Sequence, residues 1–541
     1  MRTRHDYAGA HVAAQREPPV ESALQIVQHA APGWSRALFV ALLCAVLIGV
    51  FHLVTLREGH DWGDDFSMYI HHAENLADGL PYAETGYIYN PHNPSVGPRM
   101  YPPGFPLLLA PIVKVFGRDL RPMKALVVAF FVGSLIVLFG LFRAVLPPAY
   151  AATLVVVTGL NPFFWEFKDH VLSDVPFLFF SLLSLYLFRQ ADAPDVSKRA
   201  RLALAVLAGV AAYAAYATRV LGLVLAACFI AHDLLRRKRI GWNAVLASCV
   251  FVVLACAQYV LWVHDTSYLD QLAPTAGVAV SNAIGYLRSL SELSDNGYLG
   301  AVRRGAFVAS GALAALGFAT SRRRDAGMLY LFPSLYLIPV ILWPSEQGTR
   351  FLIPVLPFLF CYCLLGLQRV EVAVERRIGR RRIVLGGFLA AVLMSYAGRY
   401  STLGFGPLDE GIANRESVEL FEFVKASTAP GDVFLFSRPR ALALYTGRSA
   451  SAPYRPTDPC QLWQYLSEIR ASYLITGPAS DPFNADAEYL RQFVSRFRGD
   501  FREMMANRDL AVYRIERNPC VAASRVATLE ARVSRSVSAS E

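Results

Sequence analysis

Long apolar runs alternate with short arginine clusters along most of this chain. A helix that crosses a bilayer needs about 20 apolar residues, because a hydrocarbon core about 30 Å thick cannot satisfy exposed backbone groups. Eleven runs read as such spans: 37–56, 123–142, 148–165, 175–189, 202–218, 220–235, 242–263, 305–320, 327–343, 351–368 and 383–398. A further run, Phe105 to Phe116, is too short and is broken by Pro106, Pro111 and Lys114, so it reads as an interfacial or re-entrant helix. Beyond Arg399 the pattern changes. Ser417 to Ala426 has helical spacing, Asp432 to Ser437 reads as a buried strand after the Pro430-Gly431 turn, and Ser472 to Thr476 and Arg508 to Ile515 read as two more strands. The predicted architecture is an all-α polytopic membrane protein of about eleven transmembrane helices, with juxtamembrane helices in the first external loop and a small C-terminal external α/β domain. Its expected divisions are an N-terminal cytoplasmic tail (1–36), a membrane domain (37–398) containing the external loop 57–121, the external domain (399–518), and a disordered tail (519–541) rich in Ser, Ala and Arg.

Composition agrees. Of 541 residues, 54% are hydrophobic and 17% charged, with a mean hydropathy of +0.35, which excludes an ordinary soluble enzyme. A net charge of +10 would suggest a polyanion partner if the charge were clustered. It follows the membrane instead. With Phe105 to Phe116 left out of the spans, the cytoplasmic pieces hold 22 Lys and Arg against 9 acids, the external loops 12 against 16, and the segment from Arg399 onward 18 against 17. This is the positive-inside pattern, with a cytoplasmic N-terminus and an external, periplasmic or extracellular, C-terminal domain. Lipid is the expected surrounding and nucleic acid is not an expected partner. The expected location is the cell inner membrane. The first apolar run starts too far from Met1 and lacks a clear cleavage site, so it reads as a retained helix rather than a signal peptide. Six of the eight cysteines lie in apolar runs; Cys460 and Cys520 fall in the external domain, where an oxidising compartment permits a disulfide.

Candidate chemistry concentrates in the loop 57–121. It carries His60, Asp61, Trp62, Gly63, Asp64, Asp65 and Tyr69, then His71 and His72, Leu80-Pro81-Tyr82, and Tyr101-Pro102-Pro103-Gly104. A carboxylate turned into a cleft has a raised pKa or a cation beside it, which is what a general base requires. Asp64 could equally N-cap the helix that Phe66, Tyr69, Ala73 and Leu76 outline. A second external cluster runs from Lys168 through Asp169 and His170 to Asp174. Carboxylate and imidazole mixtures suit a divalent metal; Asp65, His71 and His72 are the candidate ligands, with Asp169 and His170 as further donors. Arg219 and Arg350 stand at external helix ends, where a lipid headgroup lies or where arginine simply snorkels. The spans carry almost no charge of the kind ion-coupled transport needs. Function is therefore expected at the outer membrane surface.

These residues resemble polytopic GT-C glycosyltransferases, in particular the group containing protein O-mannosyltransferases and lipid A aminoarabinose transferases. The resemblance rests on Gly63-Asp64-Asp65 with Tyr69, Leu80-Pro81-Tyr82, Tyr101 to Gly104, Phe116-Gly117, Leu172-Ser173-Asp174, Thr218-Arg219 with Gly222, Arg350 to Pro357, and segments of the external domain such as Leu444 to Arg448. It implies a sugar moved from a polyprenyl-phosphate donor to an acceptor hydroxyl of a glycan, lipid or protein, outside the membrane and with inversion. By analogy Asp64 is the general base, Asp65 the alternative, and Asp174, Arg219, Arg350, Tyr101 and His170 meet the substrate. The family's second loop acid is often Glu, and here it is Asp65. The competing reading is a lipid or polysaccharide transporter or flippase with an external domain; a ligand sensor would leave the loop 57–121 unexplained.

Overall fold

The computed structural model describes residues 33–262, 268–272, 274–293, 300–320, 327–378, 383–408, 410–477 and 484–520. Most of the expected N-terminal tail and of the C-terminal tail lies outside them. The chain begins with α1 (Gly33–Val54), and the first loop then holds α2 (Asp65–Asp78) and α3 (Gly104–Phe116). The helical body continues through α4 (Leu120–Phe142), α5 (Pro148–Gly159), α6 (Pro162–Phe167), α7 (Asp174–Ala191), α8 (Lys198–Thr218), α9 (Val224–Arg237) and α10 (Trp242–Leu261). It is completed by α11 (Ala276–Glu292), α12 (Gly300–Thr320), α13 (Gly327–Ile341), α14 (Leu356–Ile378) and α15 (Ile383–Tyr400).

Every predicted apolar run falls on a helix, and six helices among the described residues are long and apolar enough to cross a bilayer: α1, α4, α8, α10, α14 and α15. Two of the other runs are interrupted for local reasons. The run 148–165 is two helices, because the Asn161 side chain caps the Phe163 amide and Pro162 opens α6, leaving α5 only 12 residues long. The run 220–235 starts as a 3-10 turn and becomes helical at Val224. The short run 105–116 is a helix of 13 residues whose Leu107, Val115 and Phe116 stay exposed, the pattern expected of a helix lying on apolar surroundings.

The C-terminal segment adds α16 (Arg415–Ser427), α17 (Pro439–Thr446), α18 (Pro459–Glu468) and α19 (Asn484–Arg496) around a six-stranded sheet. Its strands are β1 (Tyr87–Ile88), β2 (Val433–Leu435), β3 (Ser449–Ser451), β4 (Tyr473–Thr476), β5 (Phe501–Ala506) and β6 (Ala511–Ile515), in the order β1-β3-β2-β4-β6-β5. The first four pair in parallel and the last two join antiparallel. The sheet is therefore not confined to the segment after Arg399, because β1 comes from the first loop and pairs Tyr87 with Ala450. The same loop is tied down elsewhere. Asn90 donates to the Ala452 carbonyl at 2.8 Å and the Ile412 amide to the His60 carbonyl at 3.1 Å. Gly411 permits the latter approach, since its φ is +135° and a Cβ there would lie 1.9 Å from the His60 oxygen.

Cys460 and Cys520 form a disulfide, with Cα atoms 5.6 Å apart. Non-reducing peptide mapping of the intact protein is expected to recover the two cysteines on one linked peptide that separates on reduction; free thiols at both positions would contradict the pairing.

Candidate active site

The site forms where the first loop meets helix ends of the membrane body and the edge of the C-terminal unit. Asp65 opens α2 and Tyr69 follows one turn later on the same face. Tyr101 closes against this face: its ring lies edge-on to Tyr69 at 5.0 Å, and its hydroxyl donates to Asp65 Oδ1 at 2.6 Å. Gly104 brings the start of α3 against the end of α8, where a Cβ would lie 2.6 Å from the Ala217 backbone. Arg219, two residues on, thereby reaches Asp174 at the start of α7. Arg350, on a 3-10 turn before α14, donates through Nε to Asp174 Oδ2 at 3.1 Å and places Nη1 2.7 Å from Asp65 Oδ2. Arg440, from α17, places Nη1 3.1 Å from Asp65 Oδ1 and also bonds the Tyr101 hydroxyl. The result is an alternating row, Arg219, Asp174, Arg350, Asp65, Arg440, in which each buried or half-buried charge has an opposite neighbour.

Asp64 behaves differently from its neighbour. It precedes α2 but makes no side-chain cap there, so the N-cap reading fails for that helix. Its carboxylate instead accepts the amides of Arg440 (3.3 Å) and Ala441 (3.0 Å), capping α17 across 376 positions of sequence. Burial pushes its pKa up to about 6, against the pull of Arg440, Arg438 and the two amides. Burial acts in the same direction on Asp65, but Arg350, Arg440 and the Tyr101 hydrogen bond outweigh it and hold that carboxyl well below the usual range. Adjacent acids thus have opposite protonation behaviour, which is the environment that separates a base from an anchor.

These groups line a cavity of about 420 Å³. Asp61, Asp64 and Asp65 face it together with Arg219, Arg350, Arg438 and Arg440, so guanidiniums outnumber carboxylates. Val220, Leu221, Leu223, Val224, Pro339 and Trp343 form an apolar wall at the same cavity.

The expected metal set does not assemble. Asp65 is engaged by two guanidiniums and a phenol. His72 is fully buried, donates Nδ1 to the Tyr82 carbonyl at 2.7 Å, and is held neutral by burial with a pKa near 3. Burial lowers the pKa of His71, and the charges acting on it are Glu74 and Arg118 rather than Asp65. The structure gathers His60, Asp61 and His170 instead, with potential ligand atoms within 4.8 Å of one another. This group does not fit a metal either. The Val171 amide donates to His60 Nε2 at 3.0 Å, which puts the ring proton on Nδ1, where it faces Asp61 Oδ1 at 2.8 Å. His60 therefore serves to fix Asp61, and His170 lies on the other side with Nδ1 3.5 Å from Asp61 Oδ2. Asp169 is structural: it is fully buried and bonded to Arg57 and Lys168.

Asp64, Asp65, Tyr101, His170, Arg219 and Arg350 thus share one cavity, with Asp174 just behind it. Arg438 and Arg440 are the residues that sequence reasoning missed. A signal was present, since Arg438-Pro439-Arg440 follows a predicted strand directly, and ligands gather beyond the C-terminal ends of parallel strands.

No protein-family model matches the chain, and no curated protein matches it either. Solved structures do. The chain aligns with ArnT from Cupriavidus metallidurans bound to undecaprenyl phosphate at a TM-score of 0.56 and 14% identity, covering 91% of this chain and 99% of that one. The Archaeoglobus fulgidus oligosaccharyltransferase, in complex with Zn and sulfate, aligns at a TM-score of 0.57 and 12% identity over 84% of this chain and 69% of that one. The same organism's AglB, with an inhibitory peptide and a dolichol-phosphate, gives 0.52 and 13%, over 86% and 72%. The chain has the GT-C fold. The GT-C likeness extends over the membrane body and the C-terminal unit together, since nearly the whole chain aligns with nearly the whole of ArnT. At these identities it is the fold that is shared.

Proposed function

We propose that this protein is an integral-membrane glycosyltransferase that moves a sugar from a polyprenyl-phosphate donor to an acceptor hydroxyl, on a glycan, lipid or protein, at the outer face of the inner membrane and with inversion. The observation that carries the reading is one cavity holding a carboxylate of raised pKa, a row of guanidiniums and an apolar wall. The undecaprenyl phosphate and dolichol-phosphate of the similar structures belong to those proteins, and they support the same donor class here. In this reading the eleven apolar runs cross the membrane, residues 1–36 are cytoplasmic, and 399–518 form the external domain.

The acceptor oxygen attacks the anomeric carbon, the bond from that carbon to the phosphate oxygen breaks, and the lipid phosphate departs with the electron pair. Asp64 takes the acceptor proton. A base is most effective with its pKa near the working pH, which Asp64 meets and Asp65 does not. Arg219 and Arg350 face the charge that develops on the leaving phosphate, and Asp174 and Asp65 fix their positions before the reaction starts.

The test is transfer by the purified protein in vesicles supplied with labelled polyprenyl-phosphate sugars and a membrane extract as acceptor source. A new glycosidic product is expected. Movement of labelled lipid between leaflets with no such product would favour the flippase reading. Because Asp64 must be deprotonated to act, the rate is expected to fall as pH drops through about 6 and to level off above it. A rate independent of pH between 5 and 8 would contradict the assignment of the base.

A further inference from the structure

Arg440 is only 2% exposed in its side chain, yet half of its guanidinium is unused. Nη1 bonds Tyr101 and Asp65, whereas Nε and Nη2 are themselves buried and find no hydrogen-bond partner among the described residues. Nε lies 3.7 Å from Asp64 Oδ2, beyond hydrogen-bond range. These two nitrogens form one edge of the planar group, the edge that takes a phosphate or carboxylate through two parallel bonds. Arg219 and Arg350 differ, since both already bond Asp174.

The surroundings hold that edge in place. The guanidinium carbon stands 4.6 Å from the Tyr87 ring and 5.0 Å from the Tyr101 ring, which fixes the plane. Gly97 keeps the space beside Nη2 clear: a Cβ there would lie 3.4 Å from Nη2 and 3.5 Å from the Tyr268 ring. Gly97, Tyr101, Tyr268 and Arg440 all line the cavity.

We propose that Arg440, supplied by the C-terminal α/β unit, binds a phosphate oxyanion in the cavity through its Nε and Nη2 edge. The identification of that oxyanion as the donor's lipid phosphate rests on the glycosyltransferase reading; free inorganic phosphate offers the same chemistry. The C-terminal unit is then part of the donor site, and Asp64, which holds the Arg440 and Ala441 amides, couples the base to that site.

The full chain in nanodiscs is tested against polyprenyl monophosphate and polyprenol by native mass spectrometry, and against radiolabelled inorganic phosphate by equilibrium dialysis. Wild type is expected to prefer polyprenyl phosphate to polyprenol. R440Q and R440K are each expected to weaken polyprenyl phosphate binding by about tenfold or more, with polyprenol binding unchanged. R440K keeps the charge beside Asp64 and Asp65 but loses the fork, so it remains informative if R440Q fails to fold. A folded R440K that binds polyprenyl phosphate as wild type does overturns the proposal. If wild type shows no preference for polyprenyl phosphate over polyprenol, the donor reading fails instead. The phosphate arm then decides the subsite: binding that R440K abolishes supports it, and no Arg440-dependent binding overturns it.

Discussion

Asp64→Asn is expected to lower the rate of transfer by about 10²–10⁴-fold, the range usual for losing a general base, and so to raise the barrier by about 3–5 kcal/mol. The amide is nearly isosteric and its oxygen can still accept one α17 amide, so what is lost is basicity and part of a cap, the latter worth about 1 kcal/mol. The measurement is kcat at pH 8, where wild-type Asp64 is ionised, alongside the affinity for polyprenyl phosphate. A large fall in kcat with little change in that affinity is the expected pair of results. Asp65→Asn is the informative contrast, because Asp65 holds Arg350 and Arg440 rather than a proton; its effect should appear in donor binding as well as in turnover. If Asp64→Asn turns over normally and Asp65→Asn does not, the roles are reversed.

The second large effect is on stability. Asp169 is fully buried and accepts the Arg57 amide at 2.9 Å, Arg57 Nε at 2.7 Å and Lys168 Nζ at 2.7 Å, with Lys124 Nζ 3.8 Å away. Asp169→Asn would leave three cations around a neutral amide. Removing one partner of a buried charge pair costs about 3–5 kcal/mol, so the variant should unfold at clearly lower temperature or denaturant in detergent. The damage should spread to the first loop, since Lys124 also donates to the Arg57 and Gly59 carbonyls at 2.7 Å each and so pins the chain where it leaves α1. An Asp169→Asn protein as stable as wild type would mean that water reaches the cluster and screens it.

The helical body was legible because its signal is local and strong. Each apolar run lies on a helix, since a run of that length has no other way to satisfy its backbone in lipid. Where the reading missed, the cause was a short-range signal given too little weight: Asn161-Pro162 splits one run, and Ala276–Glu292 is a helix in a stretch that carries no long apolar run. In the C-terminal unit the buried strands at 433–435 and 473–476 were readable, whereas Phe501–Ala506 was not, because one of its faces is exposed and its apolar pattern is weak. Tyr87–Ile88 could not be found at all. Two residues carry no periodicity, and their partner lies 363 positions away.

The candidate site divides in the same way. Sequence by itself determined where the helices lie and which ionisable residues stand near their ends, because apolar length is governed by the bilayer; Asp64, Asp65, Asp174, Arg219 and Arg350 stand out on that basis. Only the tertiary structure decided their roles. Asp64 and Asp65 are adjacent and chemically identical, and they differ because one meets helix amides from the C-terminal unit while the other meets two guanidiniums and a phenol. Arg440, on α17, comes from a unit whose sheet takes a strand from the first loop. Protonation, pairing and the unpaired edge of Arg440 depend on burial and on neighbours a few ångströms away, and those neighbours are hundreds of positions distant in the chain.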